Sequence, residues 1–102
     1  MSSLTAEIRL SPAVGVEVSE DTLSVDLADG RTISVPLEWF PRLAHASAAE
    51  RSHWQIAGAG EGIRWPDLDE DIGVEGLLAG RPSGESQKSL KRWLDQRAGA
   101  NE

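Results

Sequence analysis

The chain has no cysteine and no tyrosine, and only one phenylalanine and one methionine among its 102 residues. Without cysteine there is no disulfide, no thiolate nucleophile and no cysteine-based zinc site. No run of residues is long and apolar enough to cross a bilayer, so a membrane role is not expected. The stretch Met1 to Glu7 lacks a basic segment followed by an apolar run, which a secretory signal would show. The expected location is therefore the cytoplasm. Basic residues are also scarce, 10 against 17 acids, for a net charge of −7. The shortfall is uneven. Residues 81–102 carry Arg81, Lys88, Lys91, Arg92 and Arg97 against Glu85, Asp95 and Glu102. The remainder holds fourteen acids and five bases, so an acidic body joins a mildly basic tail. Such a body repels phosphate backbones, and direct nucleic-acid binding by it is not expected.

What is present suits one small domain. The apolar fraction, 39%, allows a modest core. Residues 1–13 are weakly patterned and read as an amino-terminal extension or an edge strand. Alternation then sets in: Val14, Val16, Val18; Leu23, Val25, Leu27; Ile33, Val35. Period two marks half-buried strands. Asp29-Gly30 between two such runs signals a hairpin in which both central residues take positive φ. An antiparallel meander over 14–35 follows.

Pro36 closes the third strand. Leu37 to Phe40 reads as one helical turn stopped by Pro41. Ser47-Ala48-Ala49-Glu50 has the spacing of a capping box, so a short helix over 48–54 is expected. Gln55 to Ala57 and Ile63 to Trp65, joined by the glycine-rich turn 58–62, read as a second hairpin ended by Pro66. That turn lacks lysine and leads into no long helix, so a phosphate loop is not expected. A short helix starting at Asp71 or Gly73 runs through Leu78 to Gly80. Residues 81–84 form a linker, and 86–98 an amphipathic helix with Leu90, Trp93, Leu94 and Arg97 on one side. The fold class is α+β: a β-meander, short helices, a second β-hairpin and a carboxy-terminal helix. The domain proper is 14–80, and 81–102 is linker and tail helix.

Chemistry-bearing residues are few. Asp67, Asp69, Glu70, Asp71 and Glu75 form the densest charge cluster. Asp67, Asp69 and Asp71 imitate the start of a calcium loop, but Ile72 stands where its glycine belongs and Leu78 where its closing glutamate belongs. No metal is expected. An acidic helix entrance, favoured by the helix dipole, or a surface for a basic partner explains the cluster better. His45 and His53 lack metal-pair spacing, and no serine sits in a nucleophile elbow. No catalytic residue and no cofactor is assigned. Trp39, Trp54 and Trp65 are core candidates, while Trp93 on the tail helix docks either on the body or on a partner.

Two stretches, LADGRTISVPLEWFPRL and AAERSHWQIAGAGEGIRWPDLDEDIGVEGLLAG, together resemble the bacterial domain-of-unknown-function family 2442. The resemblance spans about residues 14–80. It implies a compact α+β domain without established catalysis. It also implies antitoxin-like behaviour, because members resemble the second partner of two-gene modules beside another small family, numbered 4160. Arg64 and Gly73 depart from the histidine and serine common at those places in the family. The expected function is a non-enzymatic interaction module whose partner-binding residues are Asp67, Asp69, Glu70, Asp71, Glu75 and Trp93, facing a basic protein. The alternative is an acidic decoy that occupies a nucleic-acid-binding groove on another protein; an enzyme ranks third.

Overall fold

The structure is a computed structural model and describes residues 11–100. Residues 1–10 of the expected extension lie outside that range. Two three-stranded antiparallel sheets share one core. The first is β1 (Ala13–Val18), β2 (Thr22–Leu27) and β3 (Thr32–Pro36), in that spatial order. The second is β4 (Gln55–Ala57), β5 (Gly62–Trp65) and β6 (Glu70–Gly73). A 3-10 turn (Leu37–Trp39), α1 (Pro41–Ala44) and α2 (Ala48–Ser52) connect the sheets. Then come α3 (Val74–Leu78) and α4 (Gln87–Ala100). Among the described residues no helix is long and apolar enough to cross a membrane.

The α+β expectation holds, and the meander forms with the expected alternation on its central strand. Leu23, Val25 and Leu27 are buried, and the positions between them are not. On β1 the alternation is interrupted. The register with β2 slips between Ala13 and Gly15, so Ala13 takes the buried place and Val14 is pushed out, 58% exposed. The β2–β3 turn also differs from expectation. Gly30 takes positive φ and Asp29 does not. The Gly30 amide donates to the Leu27 carbonyl at 3.0 Å, and the Leu27 amide to the Arg31 carbonyl at 2.8 Å. That is a tight turn followed by a glycine bulge, which needs one left-handed residue instead of two. Before β1, the Pro12 carbonyl accepts from Ala28 at 2.9 Å.

Pro41 begins α1 instead of stopping a turn, since a proline lacks only the amide that a first-turn residue leaves unpaired anyway. The capping box at α2 forms as expected, with Glu50 N donating to the Ser47 hydroxyl and Ser47 N to the Glu50 carboxylate. The larger correction is β6. The second hairpin is a three-stranded sheet, and Glu70 to Gly73 is strand where a helix start was expected. The helix begins only at Val74, capped by Gly73 without a side-chain bond. The glycine turn locks the two sheets together. Ala13 N donates to Gly60 O at 2.8 Å and Val74 N to Glu61 O at 2.9 Å. Gly60 has φ +94, and a Cβ there would lie 2.3 Å from Pro12 Cβ, so only glycine fits.

Candidate functional site

The acidic run is built on the β5–β6 connection. Pro66 follows β5, and the Leu68 amide closes a turn on the Trp65 carbonyl at 3.1 Å. Leu68 tucks its side chain fully into the core, which leaves Asp67 and Asp69 pointing outward. Asp69 sits at φ 51, a left-handed position that aspartate tolerates better than most residues. Trp65 then pairs with Glu70, Arg64 with Asp71 and Ile63 with Ile72. The pleat sends Glu70 and Ile72 to the inner side and Asp71 outward.

The five carboxylates therefore do not form one patch. Asp69 and Asp71 flank Arg64, with ion pairs of 3.0 and 2.6 Å. They remain 78% and 64% exposed. The Asp69 hydrogen bond and the Asp71 charge raise the Arg64 guanidinium above its usual value, so Arg64 stays charged. Asp67 instead meets His53 Nδ1, at 2.8 Å. His53 lies just past α2 and not within it. Glu75, on α3, sits 3.7 Å from Arg81.

Glu70 stands apart. It is half-buried, and burial pushes its carboxyl up to about 7; the Arg42 charge opposes the shift, and Glu85, Asp71 and Asp69 add to it. Nearby, Arg42 of α1 is almost fully engaged. Its Nε and Nη2 grip the Glu85 carboxylate, the Nη2 bond being 2.6 Å. Its Nη1 donates to the carbonyls of Leu68 and Asp69 at 3.0 and 3.2 Å. Ser89 Oγ holds Glu85 from the helix side at 2.8 Å.

Trp93 was an expected partner contact. In the structure it is buried against its own domain, its ring between the guanidinium groups of Arg42, at 5.2 Å, and Arg97, at 4.5 Å. Arg97 also forks onto Glu50 at 2.8 and 2.9 Å. The tail helix thus docks in place, clasped near both ends by ion pairs to the body, and Trp93 is not an exposed anchor in this arrangement. The role of Arg42 was missed from the sequence. Its only sequence signal was a cation inside an otherwise apolar stretch, Trp39 to Ala44. Among the described residues, no group of three or more histidine, aspartate or glutamate side chains is placed to hold a metal ion.

The likeness to known proteins agrees with this architecture. A protein of unknown function from Rhodospirillum rubrum shares 27% identity, with a TM-score of 0.65 over 80% of this chain and 99% of that one. An uncharacterized protein from Chromobacterium violaceum, 24% identical, has the same fold with a TM-score of 0.65, covering 89% of this chain and 82% of that one. No functionally curated protein matches the chain significantly. The model of one family, described as a protein of unknown function (DUF2442), matches residues 13–83. That span is well over half of the chain, and the protein belongs to the DUF2442 family.

Proposed function

We propose that this domain is a non-enzymatic, cytoplasmic interaction module that binds a basic surface on a partner protein, as an antitoxin-like component does when it masks its target. One observation supports the reading above the others. The β5–β6 turn and the adjoining strand present Asp69 and Asp71 outward around the single guanidinium of Arg64, and Asp67 outward beside His53. The excess negative charge is exposed, self-repelling, and relieved when a cationic surface meets it. Glu75 lies apart on α3, beside Arg81. Such a surface steers association more than it holds a complex together. Trp93 leaves the expected contact set because it packs inside the domain.

The test starts with affinity capture from the native host to identify the partner, followed by binding kinetics. The association rate should fall steeply with added salt while dissociation changes little. Asp69→Asn together with Asp71→Asn should reproduce the high-salt rate at low salt; asparagine keeps the left-handed backbone at position 69 accessible. Unchanged association by that double variant overturns the reading. Competition by nucleic acid for the same partner groove would replace it with the decoy function.

A further inference from the structure

We propose that the free edge of β1 takes up an extended segment of a partner protein as a fourth strand of the first sheet. Apolar side chains of that segment face a groove beside β1, and a basic one lies beside Glu17. The site shares no residue with the acidic turn of the second sheet and does not depend on the steering reading.

The free edge follows from the ladder. β2 is the only strand paired with β1, so one side of β1 is open. The Ser19 amide donates to the Thr22 carbonyl at 2.9 Å and closes the β1–β2 turn with a bonded pair. Bonded and non-bonded pairs alternate along an antiparallel ladder. Glu17 therefore exchanges bonds with Ser24, and Gly15 with Asp26, while Val16 and Val18 stand opposite Val25 and Leu23 without them. The amides and carbonyls of Val16 and Val18 point away from β2, and no other described backbone group meets them. Nearer Ser11 the edge is closed, because Gly60 takes the Ala13 amide and a bulge follows at 13–15.

The surroundings of this edge define its occupant. A groove of about 350 Å³ runs beside it, lined by Val16, Val18, Glu20, Ala48, Arg51 and Trp54, among others. Val16, Val18 and Trp54 pack on the core and are only half-buried, so apolar surface remains open along the groove. Arg51, on the α2 wall, spends its guanidinium on the Leu43 and Ala44 carbonyls, each at 2.9 Å. The pleat turns Glu17 to the opposite, exposed face. In an added antiparallel strand, the residues opposite Val16 and Val18 exchange backbone bonds with them and cover the groove. The residue between lies beside Glu17, which has no ion pair among the described residues. A basic side chain there completes a cross-strand charge pair. A second copy of the chain fits badly. Pairing both valines with their twins sets Glu17 against Glu17, between chains that each carry −7.

The experiment uses the full chain and the synthetic peptide acetyl-Thr-Val-Lys-Val-Thr-amide, followed by NMR at constant ionic strength. The expected result is saturable shifts of the Val16, Glu17 and Val18 amides, with slower hydrogen exchange at Val16 and Val18. The same peptide N-methylated at both valines lacks the donors and should not bind. With glutamate in place of lysine it should bind about threefold or more weakly, and Glu17→Lys, an exposed change, should reverse that preference. The proposal is overturned if the N-methylated peptide produces the same shifts, or if Glu17→Lys leaves the preference as it was. Slow exchange at Val16 and Val18 in the free chain also overturns it. Slow exchange that grows with protein concentration would assign the edge to a second copy, and slow exchange independent of concentration to the chain itself.

Discussion

Trp65 carries more of the core than any other single side chain. It is fully buried, at the end of β5, and its indole N–H donates to the Arg51 carbonyl at 3.0 Å. A buried tryptophan cut to alanine leaves a cavity that the surroundings fill only in part, at about 3–5 kcal/mol. Small domains have about 5–15 kcal/mol in total. Trp65→Ala should therefore lose its cooperative thermal transition, or show one shifted down by many degrees, in near-ultraviolet circular dichroism. A variant melting like the original would show that the ring is dispensable to packing. The sequence already marked this tryptophan as a core candidate, because it ends a strand of the second hairpin just before Pro66. Trp39 and Trp54 pack against the same core, only partly buried. Nothing local foretold the burial of Trp93, because a helix face is committed only by what lies beneath it.

At the scale of elements, α2 and α4 meet through Glu50. One carboxylate completes the α2 capping box and receives the Arg97 fork from α4. These contacts separate by mutation. Glutamine at position 50 keeps the reach to the Ser47 amide and gives up the charge, so Glu50→Gln should cost under about 1 kcal/mol. Alanine gives up both contacts, and Glu50→Ala should cost about 1–2 kcal/mol. Urea denaturation of the two variants checks the order; equal losses would mean that Arg97 contributes nothing beyond the cap. The capping box was legible because Ser47 and Glu50 lie three residues apart and act within one turn. Strand β6 was not. Glu70, Asp71 and Gly73 are poor strand formers, and only Ile72 is apolar. Pairing with β5 overrides that preference, since Arg64 meets Asp71 across the ladder and Ile63 meets Ile72 beneath it.

Across the whole molecule the two most strongly shifted carboxyls move in opposite directions, which shapes its stability against pH. The Arg97 hydrogen bonds, with the Ser47 amide, hold Glu50 down at about 2. Its stabilisation is present above the ordinary glutamate value near 4.5 and is lost as pH falls toward 2. Burial puts Glu70 up at about 7, so its protonated form favours the fold. That contribution is present below about 4.5 and fades as pH rises through about 7. Partial exposure keeps each effect on the order of 1 kcal/mol. Melting temperature should peak between these ranges and decline toward both pH 2.5 and pH 8.5. Glu70→Gln should flatten the alkaline decline and leave the acid one unchanged, as scanning calorimetry across the series would show. An alkaline decline that persists in Glu70→Gln would assign it to another group.

The sequence by itself determined the α+β class, the meander, the α2 cap, the glycine turn and the concentration of acid after Pro66. These depend on periodicity, on backbone freedom at particular residues or on partners a few positions away, all of which are local. The distribution of that acid was decided by the tertiary structure. The pleat of β6 turns Glu70 inward and Asp71 outward, and the turn at Asp69 brings two aspartates onto Arg64. Arg42 and Glu85, 43 residues apart, meet only because α1 and the start of α4 converge beside Glu70. Charge balance at such a place depends on distance through space, and a linear chain does not carry that quantity until the sheets have packed.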